Sequence, residues 1–372
     1  MAASRTVAQL LPALESGGVE RSTLEIADAL VRAGHRAIVV SAGGRLVPRL
    51  QALGAEHITL DIGRKSPLTL RHVPALRRVF AEHDVDIVHA RSRMPAWIGW
   101  RAIQGMPMGR PHFITTMHGL NSPSRYSAIM ARGERVICVS DTVRAYLLQH
   151  YPETDPRRLR VIPRGIDPAA FPRRPWPDRD ARLRVVALHP ALAGEGPLLA
   201  MPGRGTRLKG HLDALALLAS LRAQGRDARL WMPGSLDDAR AHYVGELKDA
   251  ARTLGLEDVV AITPPTDAIA QAYAASDLVL QLSRKPEAFG RTVLEALACG
   301  RPVLGWDHGG VGELLRAWQP EGATPPFDAD DLVRRARALL DAPQAPAVTM
   351  PHTLHAMQEA TLAVYAELEP RR

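Results

Sequence analysis

Twice along this chain a short apolar run gives way to an amphipathic stretch and then returns, a rhythm that few folds can satisfy. Residues 5–11 (RTVAQLL) read as a strand, 21–33 as a helix ended by Gly34, and 36–42 as the next strand. There follow a helix near 45–53, a strand at 57–60, a helix at 70–83, a strand at 86–89 and a helix at 94–104. Strands at 112–117 and 135–139 and a helix at 141–151, capped near Ser140, complete the first series. Parallel strands need a crossover, usually helical, so strands separated by helices predict a parallel sheet covered on both faces. A proline-rich, charged stretch at 163–180 breaks the rhythm. It restarts with a strand at 183–188 (LRVVAL) and strands at 228–232, 258–262, 277–282 and 302–305, with helices at 209–223, 237–253, 266–274, 291–299, 329–341 and 349–368. A chain of 372 residues is also too long for one ordinary core. The expectation is an α/β protein of two doubly wound domains, 1–170 and 181–372, joined by a linker at 171–180. They should face each other across a cleft lined by the C-terminal ends of both sheets.

Charge is divided along the same line. Of the formal net +8, residues 1–175 carry 25 Lys or Arg against 14 Asp or Glu, and the remainder carries 22 against 25. The basic first half predicts an anionic partner such as a lipid surface or a phosphorylated saccharide, although a solvated basic face would look the same. Nucleic acid ranks lowest, since no zinc-finger, helix-turn-helix or RNP-like pattern occurs and aromatics do not interleave with the basic residues. No apolar run approaches the ~18 residues of a spanning helix, and the opening MAASRTVAQLLPALESGG is interrupted by Glu15, so export is not expected. Cys138 and Cys299 stand far apart in apolar segments and read as buried cytosolic thiols.

The chemistry concentrates in SRKPEAFGRTVLEALACGRPVLG, residues 283–305, where Glu287 and Glu295 flank a glycine and the start of a helix. Gly290, Arg291 and Thr292 open that helix, and its free N–H groups suit a phosphate. Glu295, inside the helix, is placed to accept from the hydroxyls of a ribose, and Glu287, before it, to reach a sugar. A loop followed by a short core helix would use the same residues. In MPGRGTRLKG, Arg204 and Lys209 can set two cations on a diphosphate, stabilising a departing nucleoside diphosphate without a metal, while the aim of Arg207 stays open. Gly17 and Gly18, between the first strand and helix, let backbone come close to a ligand, and Gly309 and Gly310 add donors at the other rim. Glu313 reads as structural. His118, directly after a strand, is a candidate to bond a sugar or phosphate, or to act as acid or base; Arg91 and Asp141 are weaker candidates and His89 reads as core. Neither GxGxxG nor GxxxxGK[ST] occurs, which disfavours a dehydrogenase or P-loop ATPase.

With these residues in view, the chain resembles a retaining glycosyltransferase of family 4, with the GT-B fold of two Rossmann-like domains. The resemblance runs from the GGVER loop to the final helices and rests on the Glu287/Glu295 pair, on Gly203, Arg204, Lys209 and Gly210, and on Gly309 to Glu313. It implies a nucleotide-sugar donor, UDP-linked by default, with the base held by backbone near Ala261 to Thr266. It assigns Glu295 to the ribose, Glu287 to the donor sugar, Arg204 and Lys209 to the diphosphate with the N–H groups around Phe289 and Gly290, and His118 to the sugar. It implies no metal and no other cofactor, an acceptor near Gly17 and Gly18, and a C-terminal helix free to pack back onto the first domain. The segment from His118 to Leu147 resembles enzymes of lipopolysaccharide core or surface glycan synthesis, which implies an anionic membrane-bound acceptor and a peripheral place on the cytoplasmic face of the inner membrane. One departure is the insertion at 189–204, which leaves open whether 183–188 or 198–202 is the strand before the Arg204 loop. Two other functions fit the same architecture: a nucleotide-sugar 2-epimerase, which would need no acceptor, and a glycan-binding protein without turnover.

Overall fold

The computed structural model describes residues 4–15, 17–237, 240–341 and 352–369, which fall into two compact units, Met1–Gly165 with Leu354–Arg372, and Ile166–Thr353. Unit 1 runs β1 (Thr6–Leu10), α1 (Gly18–Arg32), β2 (Arg36–Ser41), α2 (Val47–Ala52), β3 (Glu56–Thr59), α3 (Val73–Glu82), β4 (Ile87–Ala90), α4 (Arg93–Gln104), β5 (His112–Met117), β6 (Arg135–Cys138), α5 (Asp141–His150) and β7 (Leu159–Val161). The strands form one parallel sheet in the order β3-β2-β1-β4-β5-β6-β7. Strand alternation divides its core. Val7, Val39, Ile87 and Ile114 point to one face, and Ala8, Leu10, Ile38, Val40 and Val88 to the other, where Leu76, Phe80 and Ile98 of α3 and α4 cover them. Helix α5 starts where Ser140 Oγ accepts from the Val143 amide at 3.1 Å.

Unit 2 runs α6 (Arg179–Leu188), β8 (Leu198–Ala200), α7 (His211–Ala223), β9 (Arg229–Pro233), α8 (Ala241–Thr253), β10 (Val260–Thr263), α9 (Ile269–Ala275), β11 (Leu278–Gln281), α10 (Arg291–Ala298), β12 (Val303–Trp306), α11 (Gly309–Trp318), β13 (Ala323–Thr324) and α12 (Ala329–Asp341). Its sheet is parallel, in the order β10-β9-β8-β11-β12-β13. Leu199, Leu230, Met232, Leu280 and Trp306 pack on one face against α7, α8 and α12.

The strand expected at 183–188 is a helix. The Asp178 carboxylate accepts from the Ala181 amide at 2.9 Å and starts α6, and Ala181 and Val185, one turn apart, pack on Ala272, Ala274 and Ala275. Leu183 and Leu188 stand 67% and 75% exposed, so the apolar run LRVVAL buries one helical face and not a strand. The central strand is β8, inside the second candidate range, and the insertion at 189–204 is the path from α6 into it.

The linker expected at 171–180 lies instead within unit 2. Arg301, wholly buried, donates to the carbonyls of Arg174 (3.3 Å), Pro175 (2.6 Å) and Ala274 (2.7 Å), tying that stretch to the sheet's helices. The chain divides at Gly165/Ile166, where the Ile166 amide donates to the His352 carbonyl at 3.0 Å and Ile166 bridges Thr353.

It returns to unit 1 with α13 (Leu354–Ala366); of the helix expected at 349–368, residues 349–351 lie outside the described residues. Met357, Val364, Tyr365 and Leu368 join the core face that carries Val7 and Ile114. Such side chains contribute roughly 1.5–3 kcal/mol each when fully buried. Arg5 donates to the carbonyls of Tyr365 and Leu368, and Glu367 accepts from Arg135 on β6 and Arg160 on β7. Arg160 and then Arg135, by hydrogen bonding, hold the Glu367 carboxyl at about 2, below the ordinary range. Among the described residues no helix is long and apolar enough to cross a membrane.

Candidate active site

In unit 2 the sheet reverses its build direction between β8 and β11, and the loops that leave these two strands meet at their C-terminal ends. That is where open α/β sheets collect ligands. Glu287 is the hub. Its Oε1 accepts from Lys209 Nζ at 2.6 Å and from the Ser283 hydroxyl, and its Oε2 from Gln281 Nε2 at 3.5 Å. The Lys209 and Glu287 side chains remain 29% and 25% exposed, so a ligand can reach the pair.

Two glycines permit this crowding. Gly210, at φ 80°, would set a Cβ 2.0 Å from the Leu282 carbonyl, so no other residue can follow Lys209 this close to the β11 loop. Gly290, at φ 108°, starts α10 in the left-handed region, and a Cβ there would meet Val311 at 3.0 Å. The Gly310 amide fastens the loop from behind by donating to the Glu287 carbonyl at 2.8 Å. One turn into α10, Glu295 is 6% exposed and accepts from the Tyr273 hydroxyl at 2.9 Å and from Arg291 Nε at 3.2 Å. Burial and then the Glu295 carboxylate push the Tyr273 hydroxyl well above its ordinary value, so it stays a donor.

Unit 1 carries its own polar cluster at the ends of β1, β4, β5 and β7. Arg91 donates to Gln9 Oε1 at 2.7 Å and to Ser22 Oγ at 3.3 Å; Arg164 donates to the same hydroxyl at 2.5 Å and to Nδ1 of His118. Burial first, then the Arg164 and Arg91 charges, holds His118 well below 6.5. The ring is therefore neutral near pH 7, accepts at Nδ1 and presents Nε2–H as a donor. His89, expected in the core, is there, between the Tyr365 hydroxyl and Thr116 Oγ1, each at 2.6 Å.

Of the residues singled out in the sequence, Arg291, Thr292 and Glu295 lie in α10, Glu287, Phe289 and Gly290 in the loop that leads into it, and Lys209 pairs with Glu287, all in unit 2. Arg204 is exposed on the loop after β8 and forms no ion pair among the described residues. Arg207 turns away, pairing with Glu246 and lying 5.6 Å over the Tyr243 ring. Gly17 and Gly18 stand at the start of α1, and His118 after β5, all in unit 1.

Sequence reasoning missed Ser283, Gln281, Tyr273 and Arg164. Ser283 and Gln281 lie only four and six residues before Glu287, so their signal is local, whereas Tyr273 and Arg164 meet their partners only through the fold. Cys138 and Cys299 are buried, with thiols pushed up to about 12 by burial, far from the range of a nucleophile. Among the described residues no group of three or more His, Cys, Asp or Glu is placed to hold a metal ion.

Residues 16–170 match the model of Glycosyltransferase Family 4, and residues 189–354 that of Glycosyl transferases group 1. Among curated proteins, the D-inositol 3-phosphate glycosyltransferase of Jonesia denitrificans is 30% identical over 244 residues, 61% of this chain and 56% of that one. The chain spans about half the length of the curated relatives it matches. A solved glycosyltransferase from Rickettsia africae is 28% identical, with a TM-score of 0.85 over 98% of both chains. Anabaena HepE, solved with UDP and glucose, shares the fold at 20% identity and a TM-score of 0.81, over 98% of this chain and 100% of that one. Two doubly wound units, each matched by its own family model, make this chain a member of the glycosyltransferases of family 4 and group 1.

Proposed function

We propose that the chain transfers a sugar from a nucleotide-sugar, UDP-linked, to a hydroxyl of a lipopolysaccharide core or related surface glycan, with retained configuration and an α linkage. The observation that carries this reading is the Lys209–Glu287 pair at 2.6 Å beside the N-terminus of α10. A cation, a carboxylate and the N-terminus of a helix on one rim match the diphosphate and hydroxyls of an activated sugar. Arg204 and Lys209 neutralise the diphosphate as it leaves, with the amides of Phe289 and Gly290, while Arg291 and Thr292 open the helix. Glu295 takes the ribose, Glu287 the sugar, and the neutral His118 donates to it from Nε2.

The bond between the anomeric carbon and the diphosphate oxygen breaks, the acceptor oxygen bonds the same carbon on the same face, and the acceptor proton passes to the departing phosphate. Glu287 already accepts from Lys209, Ser283 and Gln281, which suits a group that orients and stabilises more than one that attacks. The family match favours transfer over the epimerase and the non-catalytic readings.

A nucleotide-sugar panel tests this. UDP release should depend on added lipopolysaccharide core, and nuclear magnetic resonance should show the α anomer. Conversion of the donor to its C2 epimer without acceptor would overturn the reading.

The acceptor's membrane gives the basic unit a use, as a peripheral contact on the cytoplasmic leaflet of the inner membrane. Sedimentation with vesicles at low salt should show capture by phosphatidylglycerol-containing and not by neutral vesicles. Equal capture by both would remove this part of the proposal.

A further inference from the structure

Phe327 breaks two rules at once. It is an apolar side chain 50% exposed, and its φ of 68° lies in the left-handed region that favours glycine. It sits in the turn from β13 to α12, closed where the Asp328 amide donates to the Pro325 carbonyl at 3.2 Å. A turn that needs positive φ at its third residue is met most easily by glycine, so the backbone does not call for a phenyl ring there.

The neighbours of the ring supply the reason. Its centroid lies 5.9 Å from that of His308, at 81°, and 5.8 Å from that of the buried Trp306, while the Arg284 guanidinium stands 5.1 Å over it. Both polar neighbours hold the segment that carries Glu287. His308 Nε2 lies 2.8 Å from the Ser283 carbonyl; a carbonyl only accepts, so Nε2 carries the proton and donates. Arg284 pairs with Asp213 of α7 at 2.7 Å, and its amide donates to the Leu208 carbonyl at 2.8 Å, beside Lys209. His308 and Gly310, two residues apart at the start of α11, thus grip both ends of the segment, Gly310 through the Glu287 carbonyl. Within that grip the Ser283 hydroxyl donates to Glu287 Oε1.

We propose that His308, braced by Phe327, is a positioning residue of the donor site. It fixes Ser283 and, through the Ser283 hydroxyl, the direction of the Glu287 carboxylate, while Phe327 keeps the imidazole and the Arg284 guanidinium from swinging into solvent. A functional group backed by a second layer of bonds stays within the fraction of an ångström that catalysis tolerates. The strained backbone at Phe327 is kept for the geometry its ring enforces. That Glu287 serves a sugar rests on the transferase reading; the bracing itself lies wholly within unit 2.

Three substitutions in the full chain test it: His308→Gln, whose amide nitrogen reaches where Nε2 stands; His308→Asn, one bond shorter; and Phe327→Gly, which removes the ring and the strain together. His308→Asn should lower kcat for acceptor-dependent UDP release by about 10–100-fold, and His308→Gln should recover part of the loss. UDP affinity should stay unmoved in both, because Lys209 and α10 keep their places. Phe327→Gly should lower kcat while its Tm stays within a few degrees of the parent, since relief of strain offsets the lost ring contacts; a ring kept for packing alone would lower the Tm and leave kcat untouched. Hydrogen exchange over residues 283–287 should quicken in His308→Asn and Phe327→Gly, and less in His308→Gln, with β8 to β10 protected throughout. Parental kcat in His308→Asn, or parental exchange over 283–287 in both His308→Asn and Phe327→Gly, overturns the proposal. A parent chain that releases UDP to no acceptor would instead count against the transferase reading, and the exchange pattern would then decide by itself whether His308 and Phe327 hold the segment.

Discussion

Glu287→Gln is expected to lower kcat by about 10²–10³-fold, the size seen when one preorganised group is removed from developing charge, and to leave the fold intact. The amide keeps an acceptor for Ser283, and the backbone of residue 287 still receives the Gly310 amide. What goes is the negative charge beside Lys209 at 2.6 Å, which holds that cation and, in the proposed mechanism, would steady positive charge at the anomeric carbon. Because the pair is partly open to solvent, its loss should cost no more than ~1 kcal/mol of stability. Stopped assays of UDP release, set beside thermal melts, separate the two quantities. Activity within threefold of the parent would show that this carboxylate does not touch the reacting sugar.

The second large effect falls on unit 1. Tyr365 is 2% exposed, edge-on to His89 at 5.7 Å between centroids, with its hydroxyl on Nδ1 at 2.6 Å. Tyr365→Ala should destabilise unit 1 by about 3–5 kcal/mol, the cost of emptying a large aromatic site. Tyr365→Phe isolates the hydrogen bond and should cost about 1–3 kcal/mol, since a buried imidazole nitrogen is left unsatisfied. Hydrogen exchange should lose protection over β4, β5 and α13 and keep it over β8 to β12; a loss shared equally by both units would refute the assignment of α13 to unit 1 alone.

The same core gives a pH signature. Burial and the Arg91 and Arg164 charges hold His89 and His118 well below 6.5 in the folded chain. The unfolded chain therefore binds more protons below about pH 6.5, and unit 1 should lose stability as pH falls through that value.

Most of the two sheets was legible because parallel strands buried on both faces are nearly continuous apolar runs, as in RAIVVS and HFITTM. Three features escaped for physical reasons. β7 and β13, of three and two residues, are too short to show a period. LRVVAL satisfies a strand's composition, and only the Asp178 cap and the Ala181–Val185 spacing reveal the helix. The supposed linker has a linker's prolines, yet Arg301, 126 residues from Pro175, holds it in place, a contact that no local pattern encodes. The site followed the same rule: the glycines, Lys209 and Glu287 before α10 and Glu295 within it share short stretches of sequence whose chemistry is local, while Tyr273 and Arg164 are supplied by distant segments.

Unit 2 is a single uninterrupted stretch, whereas unit 1 is interrupted by it and finished by α13. On the ribosome, then, the unit begun first is completed last. The 188 residues from Ile166 to Thr353 take roughly 10–40 s to make at about 5–20 residues per second. Through that interval the face of the first sheet that will meet Met357, Val364 and Tyr365 is only partly covered, a vectorial delay that makes the nascent first unit a natural client for chaperones.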